Sequence, residues 1–222
     1  MTVAALLLPA SAEEALTPID GRPLVRRLVD AAWAGGAVPV IVSVADPTGE
    51  VAAALAGAPA TLVAPGDVLG GVDAAVREVS ETDAVMVWPT AYAWIDPETL
   101  TSLIEGHGVT PLAVLRPMYD GRAGWPALVP VGVAAGARDR SADRAVEEAL
   151  AAIDAPVRLL DLGDPGSVHD VRTDRTNLPS YQGPARPAGT SHEWGSLAAE
   201  EPDASALEGP GAAPFGSATD PD

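Results

Sequence analysis

The sequence predicts an α/β protein, a Rossmann-like domain of three layers in which a mostly parallel sheet lies between two layers of helices. Short apolar, β-branched runs alternate with longer segments of helical period that are rich in Ala, Leu, Arg and Glu. Hydrophobic residues make up 47% of the chain but aromatic residues only 4%, so Ala, Val and Leu must fill the core. The 222 residues fit one domain with an appendage better than two domains.

The alternating segments give the order of the predicted elements. Residues 3–8, 38–44, 60–63, 84–88, 111–115 and 157–162 are predicted strands, 127–133 is an apolar run, and 22–34, 48–55, 68–79, 97–105 and 142–153 are predicted helices. Asp96-Pro97-Glu98 supplies an N-cap residue, a proline at the first helical position and an early acid, which together mark a helix start. Gly35-Gly36 ends the first helix. Such alternation is typical of a parallel sheet with helices on both faces.

Composition excludes several kinds of site and partner. The chain has no cysteine, which excludes disulfides, thiolate metal sites and cysteine nucleophiles. Its formal net charge is -18, and all 13 of its cations are Arg. A surface this negative repels the phosphate backbone and anionic lipids, so we expect neither nucleic-acid nor membrane binding. The apolar run 3–8 is too short for a membrane span and lacks the basic flank of a signal peptide, so we expect a cytoplasmic protein.

The composition changes after residue 178. Residues 179–222 are rich in Pro, Gly, Ala and Ser, and carry seven acidic residues against the single cation Arg186. Burial of so few large apolar side chains cannot offset the entropy of ordering the chain. We therefore predict a domain at residues 1–178 and a disordered acidic tail at 179–222, in which Trp194 and Phe215 are the groups that would dock on a protein partner or on the domain.

Several stretches of the predicted domain carry a family resemblance. They are residues 6–11 (LLLPAS) leading to 18–24 (PIDGRPL), residues 84–89 (AVMVWP) leading to 95–100 (IDPETL), residues 119–126 (YDGRAGWP), and more faintly residues 170–173 (DVRT). In this order and on these elements, the chain resembles the MobA-like nucleotidyltransferases, which include the molybdopterin guanylyl- and cytidylyltransferases. The resemblance covers residues 3–178. It implies a fold of the nucleotide-diphospho-sugar transferase type, and transfer of NMP from GTP or CTP to a phosphorylated cofactor precursor such as molybdopterin.

The resemblance also implies where substrates would bind. Nucleotide phosphates would be held by the N–H groups of Ala10, Ser11 and Ala12, with the side chain of Arg22 or Arg122 as the cation. The segment that is similar to the family's glycine-rich substrate loop would contact the acceptor through Gly121, Arg122, Gly124 and Trp125. Asp96 and Asp170 are the carboxylates that would hold Mg²⁺.

The chain departs from the family pattern at the residues that such chemistry requires. The loop between Leu8 and Pro18 has no glycine, arginine or lysine, and Glu14 stands where the family has a lysine. Ala91 stands where the family has a metal-binding aspartate, and Arg172 where it has a second carboxylate. Carboxylates in place of cations should repel a triphosphate from this loop. The sequence therefore also allows the alternative of a catalytically inactive member that acts as a binding or scaffold protein.

Other candidate groups are interpreted more simply. Trp88, Tyr92, Trp94 and Trp125 lie near the carboxyl ends of strands, and form either a stacking pocket or core packing below a cleft. His107 and His169 have no i,i+4 histidine partner, and we interpret both as loop histidines. Ser11 lacks the surroundings of a serine nucleophile. A generic Rossmann reductase or kinase is disfavoured because neither G-x-G-x-x-G nor a P-loop follows a predicted strand.

Overall fold

A computed structural model describes residues 1–65, 81–134, 145–173, 178 and 180–183. The chain divides into a compact unit, Met1–Ala185, and a second unit, Arg186–Asp222, which lies outside the described residues. The first unit ends a few residues beyond the predicted boundary at residue 178. The predicted disorder of the tail concerns residues that are almost all outside the described part, and stays a prediction.

The strands form one sheet and one small hairpin. The strands are β1 (Thr2–Leu8), β2 (Pro18–Ile19), β3 (Arg22–Pro23), β4 (Val40–Ser43), β5 (Ala60–Val63), β6 (Thr82–Pro89), β7 (Val114–Tyr119), β8 (Arg122–Ala123), β9 (Ala127–Pro130) and β10 (Val157–Asp161). The sheet has the order β10-β7-β9-β6-β1-β4-β5, with β8 paired to β7, while β2 and β3 pair with each other. β1 is parallel to β4 and β6, β4 to β5, and β7 to β10; β9 is antiparallel to both of its neighbours.

The helices cover the two faces of this sheet. They are α1 (Ala12–Leu16), α2 (Leu24–Ala34), α3 (Glu50–Ala54), α4 (Pro97–Val109), α5 (Val131–Ala134) and α6 (Val146–Ala151), followed by a 3-10 helix at Pro165–Ser167. One core cluster joins the sheet to α2, α3 and α4, and the other joins it to α5 and α6. The predicted three-layer α/β fold with a mostly parallel sheet is thus confirmed. None of the described helices combines the length and hydrophobicity that crossing a membrane requires.

Several boundaries differ from the prediction. The segment after β1 forms the short helix α1, where we expected only a loop. α2 starts at Leu24 because Arg22 and Pro23 pair with β2, and α4 continues past residue 105 to Val109. The run 127–133 divides into β9 and α5. The predicted helix 68–79 and the start of the predicted helix 142–153 lie outside the described residues.

His107 was wrongly predicted to be a loop histidine. It lies on α4 and is only 3% exposed, on the same face of the helix as Leu100 and Leu103. Burial lowers the pKa of its imidazole. This histidine is therefore a core residue at the end of α4 opposite to the carboxyl edge of the sheet.

Candidate functional site at the carboxyl edge of the sheet

The centre of the sheet contains a topological switch point. From β1 the chain passes to β4 and β5 on one side, and then crosses to β6 on the other side of β1. Leu8, the last residue of β1, is in register with Pro89, the last residue of β6. Open α/β sheets bind ligands in the crevice outside the carboxyl ends of the two strands at such a point. The loops that follow β1 and β6 therefore define the candidate site, which we call the crevice.

The loop that follows β1 forms a capped helix rather than an open phosphate loop. Ser11 is the N-cap of α1, and its hydroxyl accepts a hydrogen bond of 3.1 Å from the Glu14 N–H group. Ala10 is exposed and Ala12 half-buried. The first turn of α1 carries Glu13 and Glu14, so carboxylates stand at the end of the helix that was predicted to hold phosphates.

A side-chain contact crosses the crevice between its two loops. The Thr90 hydroxyl, at the end of β6, donates a short hydrogen bond to Glu14 Oε1. Thr90 is fully buried and Glu14 half-buried, and the Thr90 N–H group also points to the Leu8 carbonyl, at 3.4 Å. The loops that follow β1 and β6 are thus hydrogen-bonded to each other across the crevice.

The segment that follows the 3-10 helix contacts the loop after β6 and lies near Glu14. The Val171 N–H group donates to the Ala91 carbonyl at 2.9 Å, which pins the loop after β6. Arg172 Nε lies 3.0 Å from Asp170 Oδ1, and the Arg172 guanidinium holds the pKa of the Asp170 carboxyl below its ordinary value. The same hydrogen bond, with smaller contributions from Glu14 and Tyr92, raises the pKa of Arg172. The Arg172 guanidinium near Glu14 is therefore already paired with the Asp170 carboxylate.

The residues present do not fit a bound Mg²⁺. Ala91 has no ligand atom and is 2% exposed, and Asp170 is paired with Arg172. Asp96 Oδ1 accepts a hydrogen bond from the Glu98 N–H group as the N-cap of α4. Among the described residues, no three His, Cys, Asp or Glu side chains are placed to hold a metal ion together. In nucleotide sites Mg²⁺ is held by one or two carboxylates together with substrate phosphates, and here the Asp170 carboxylate is paired with Arg172 and the Asp96 carboxylate caps α4.

Asp96 belongs to a buried polar cluster that sequence reasoning missed. Asp164 Oδ2 accepts hydrogen bonds from the Asp96 N–H group at 3.0 Å and from the Thr99 hydroxyl at 2.6 Å, and Oδ1 accepts one from the Gly166 N–H group at 2.8 Å. Burial raises the pKa of Asp164 against these hydrogen bonds. The sequence Asp164-Pro165-Gly166 has the form of a capped turn, which was the signal available for it.

The predicted substrate loop is a tight hairpin. Asp120 and Gly121 both have positive φ, at 49° and 73°, as a two-residue type I′ turn requires, and Arg122 beside them is exposed. Gly124 and Trp125 are buried against the segment around Ser167. The Trp125 N–H group donates to the Ser167 carbonyl at 2.8 Å. A Cβ atom at Gly124 would lie 2.6 Å from that carbonyl oxygen. Of the four predicted contacts, only Gly121 and Arg122 are available to a ligand.

The four aromatic residues near the crevice are core or partly buried residues, which disfavours the stacking pocket that the sequence left open. Trp88 is fully buried and Trp125 is 4% exposed, so both are core residues. Tyr92 is half-buried, 6.1 Å from the Trp125 ring. Trp94 is half-buried beneath Arg27, whose guanidinium carbon lies 4.3 Å from the centre of the indole. No stacking pocket with a free aromatic face is formed by these residues.

Arg22 or Arg122 was expected to be the cation for phosphates, and Arg22 lies on the β2–β3 hairpin. Its guanidinium pairs with the Asp30 carboxylate of α2 at 3.5 Å, and its side chain is 71% exposed. It lines a cavity of about 410 Å³ together with Arg27, Asp20 and residues of α2 and the start of α4. In this position, Arg22 neutralises a carboxylate of its own chain.

An open cleft lies at the same edge of the sheet, beyond β4 and β5. Its volume is about 520 Å³, and it is lined by residues 44–47 and 62–65. The walls are apolar side chains and backbone, and the Ser43 hydroxyl reaches toward the Ala64 carbonyl at 3.5 Å. The single carboxylate, Asp46, accepts hydrogen bonds from the Val51 and Ala52 N–H groups at the start of α3. We call this feature the cleft.

The family model described as the MobA-like NTP transferase domain matches residues 11–157. This chain belongs to the MobA-like NTP transferase domain family. The resemblance inferred from the sequence is therefore confirmed, and the match includes α1 and the loop that follows β6. No curated protein matches the sequence.

Solved structures of similar fold agree with this assignment. The Rv0371c protein of Mycobacterium tuberculosis H37Rv, crystallised with manganese, is 20% identical with a TM-score of 0.59, over 73% of this chain and 89% of that one. A nucleotidyl transferase from Methanothermobacter is 16% identical with a TM-score of 0.55, over 81% and 93%. The 2-C-methyl-D-erythritol 4-phosphate cytidylyltransferase of Thermus thermophilus is 17% identical with a TM-score of 0.54, over 76% and 92%. At this identity they establish the fold, which is the nucleotide-diphospho-sugar transferase type.

Proposed function

We propose that this member of the MobA-like NTP transferase family binds a nucleoside-like small molecule and does not transfer nucleotidyl groups. The observation that carries the proposal is the hydrogen bond from Thr90 to Glu14, which bridges the two loops of the crevice. A bound triphosphate would have to break this bond. It would also have to lie against the Glu14 carboxylate.

Electrostatics favour exclusion of polyphosphates. Glu13 and Glu14 stand in the first turn of α1, and Arg172 is paired with Asp170. Two like charges about 4 Å apart cost about 1 kcal/mol in water and about 4 kcal/mol at the edge of a protein. A triphosphate brings several such charges, and the described residues offer it no metal site in compensation.

The cleft supports the binding half of the proposal. Small-molecule sites are concave and mostly apolar, with a few polar groups that fix orientation, and volumes of about 300–1,000 Å³ are usual. The cleft has apolar walls and backbone groups at about 520 Å³. A flat heteroaromatic base matches such walls, and a neutral ribose adds no charge next to the acidic crevice.

Calorimetric titration tests the proposal directly. Guanosine, cytidine and adenosine are compared with GTP, CTP and ATP, the triphosphates in the presence of Mg²⁺. We expect one nucleoside to bind with millimolar affinity or tighter, and its triphosphate to bind about tenfold more weakly because of the crevice carboxylates. Tighter binding of the triphosphate would contradict the exclusion, and flat titrations with all three nucleosides would contradict the binding role.

The Glu14→Gln variant locates the cause of any exclusion. Glutamine keeps the side-chain shape and an acceptor for Thr90 while it removes the charge. We expect it to tighten triphosphate binding about fivefold at low salt, with nucleoside binding unchanged. Glu105→Gln, at an exposed position on α4, is the matched control and should change neither affinity.

A second candidate is the activity that the family resemblance implies, transfer of NMP from GTP or CTP to a phosphorylated acceptor such as molybdopterin. Family membership favours it, and manganese accompanies the related Rv0371c structure. In this chain, Asp170 would have to leave Arg172 and Asp96 would have to leave the start of α4 before Mg²⁺ could bind. Transfer of NMP from GTP or CTP to molybdopterin by the purified protein, with release of pyrophosphate that depends on the acceptor, would establish this activity and refute the first proposal. A cytoplasmic location and a protein partner for residues 179–222 stay predictions from composition.

A further inference from the structure

Residues 180–183, which we call the strap, pack on the domain beyond the predicted end of the fold. The Gln182 N–H group donates to the Gly163 carbonyl at 2.9 Å. Gly163 has a φ of +63°, and a Cβ atom there would lie 2.6 Å from the Gln182 carbonyl carbon. A Cβ atom at Gly183 would lie 2.3 Å from the Leu162 carbonyl oxygen. The backbones of the strap and of residues 162–163 are therefore in direct contact, through glycines that permit it.

Tyr181 of the strap lies close to the buried polar cluster around Asp164. Its hydroxyl is buried near the Thr99 hydroxyl and makes no well-formed hydrogen bond in the part of the chain that the structure describes. Burial, and then the nearby carboxylates of Asp96 and Asp164, raise the pKa of Tyr181 to about 12. Tyr181 is therefore a neighbour of the carboxylate that fixes the start of α4 through the Asp96 N–H group and the Thr99 hydroxyl.

The segment beneath the strap holds the loop that follows β6 at three points. Asp164 bonds to Asp96, as described. Gly166 lies against the Trp94 backbone so closely that a Cβ atom would be 2.1 Å from the Trp94 carbonyl oxygen. Val171 donates to the Ala91 carbonyl. Ala91 is the neighbour in sequence of Thr90, whose side chain bonds to Glu14 across the crevice.

These contacts are continuous: the strap contacts Gly163, residues 164–171 contact residues 91–96, and Thr90 contacts Glu14. We propose that the strap is an intramolecular latch that keeps the crevice closed, so that its release frees residues 90–96 and opens the contact between Thr90 and Glu14. Access to the candidate site is thereby controlled by the segment that leads into the acidic tail. A role of the latch in regulating ligand binding rests on the proposed function. The coupling between the strap and residues 90–96 does not depend on any ligand.

Hydrogen–deuterium exchange on the full chain tests the latch. Gly183→Ala places a methyl group against the Leu162 carbonyl and should detach the strap. We expect exchange in the peptides covering residues 90–96 and 11–17 to become at least about threefold faster, because local opening sets the exchange rate. Gly132→Ala, on α5 where a Cβ atom meets nothing within 4 Å, is the matched control and should leave both peptides unchanged.

Two variants at Tyr181 decide the outcome if Gly183→Ala unfolds the protein. Tyr181→Phe keeps the ring and removes a hydroxyl that makes no well-formed hydrogen bond among the described residues, so it should preserve slow exchange at residues 90–96. Tyr181→Ala removes the ring and should accelerate exchange there as Gly183→Ala does. Faster exchange confined to the strap would overturn the latch. Loss of nucleoside binding together with intact coupling would refute the proposed function and leave the latch standing.

Discussion

The crevice and the cleft lie at the same edge of the same sheet, and differ in what occupies them. Between β1 and β6, the Thr90 and Glu14 side chains bond across the crevice. Beyond β4 and β5, the cleft keeps a volume of about 520 Å³ and its polar side chains bond within its own walls. At one edge of the sheet, the loops after β1 and β6 are therefore bonded across the crevice, while the space beyond β4 and β5 stays open.

The cause of the difference is the loop that each strand leads into. β1 leads into α1, whose first turn carries two glutamates, and β6 leads into a loop that residues 164–171 fix at several points. β4 leads into Asp46, which bonds to the N–H groups of α3 and so does not reach across to β5. The Thr90 and Glu14 side chains join the two loops of the crevice. At the cleft, Asp46 caps α3 and the contact from the Ser43 hydroxyl to the Ala64 carbonyl leaves the volume open.

The largest effect on stability should come from Gly166→Ala, which disturbs the contact between residue 166 and the loop after β6. The added Cβ atom would overlap the Trp94 carbonyl oxygen, at 2.1 Å, and backbone atoms cannot swing aside. We expect a loss of about 3 kcal/mol in the free energy of unfolding, at the upper end of overpacking costs. Urea denaturation measures this loss. Gly132→Ala is the control. It should raise the free energy of unfolding by less than about 1 kcal/mol, because alanine favours a helix. Equal changes in the free energy of unfolding for the two variants would show that the contact of Gly166 with the Trp94 backbone does not hold the loop after β6.

A smaller effect is expected at Asp46, on the open side. Asp46→Ala removes the acceptor for the Val51 and Ala52 N–H groups, which lie 3.2 and 2.9 Å away. We expect a loss of about 1 kcal/mol in thermal or urea unfolding, as for other helix caps. Asp46→Asn retains an acceptor oxygen and should lose at most half as much. If Asn and Ala were equally damaging, the charge rather than the hydrogen bonds would be what fixes the wall of the cleft.

The smallest effect concerns the Asp170 and Arg172 pair and depends on pH. Arg172 keeps the pKa of Asp170 below the unfolded value of about 3.8, so this stabilisation is present above that pH and is lost as the pH falls through the folded value. Arg172→Gln should therefore flatten the stability curve of the protein at acid pH. The side chains are 57% and 20% exposed, so solvent screening limits the effect to about 0.5 kcal/mol.

Urea denaturation between pH 3 and pH 7 measures this difference. Arg122→Gln, at an exposed position of β8, is the control and should follow the curve of the unchanged protein. A curve for Arg172→Gln that also superimposes on it would show that the pair does not hold the crevice segment in solution.

Local signals predicted much of the fold and could have predicted more. Apolar runs located β1, β4 and β6, and Asp96-Pro97-Glu98 located the start of α4, because these elements depend on neighbouring residues. α1 was missed although Ser11 and Glu14 have the spacing of a capping box. The extension of α4 past Gly106 depends on packing, since that glycine lets the Leu160 and Leu115 side chains approach to about 3 Å of where its Cβ would lie.

The candidate site could be predicted only in part. That Glu14 and Ala91 stand where the family pattern has a cation and a metal ligand stays a prediction from sequence positions. Those positions did not indicate that Glu14 bonds to Thr90, that Asp164 fixes Asp96, or that Tyr181 lies near Asp96, because these pairs lie 68 or more residues apart in the chain. Composition likewise could not separate Trp88 in the core from Trp94 beneath Arg27.

Hydrophobic period, caps and spacing are local properties of the chain, and they were enough to predict the order of the main strands and helices, the start of α4 and the family. The closed crevice and the open cleft could be seen only in the folded protein. Those states depend on contacts between residues distant in sequence, and each contact exists only after the sheet has brought the ends of its strands to one edge.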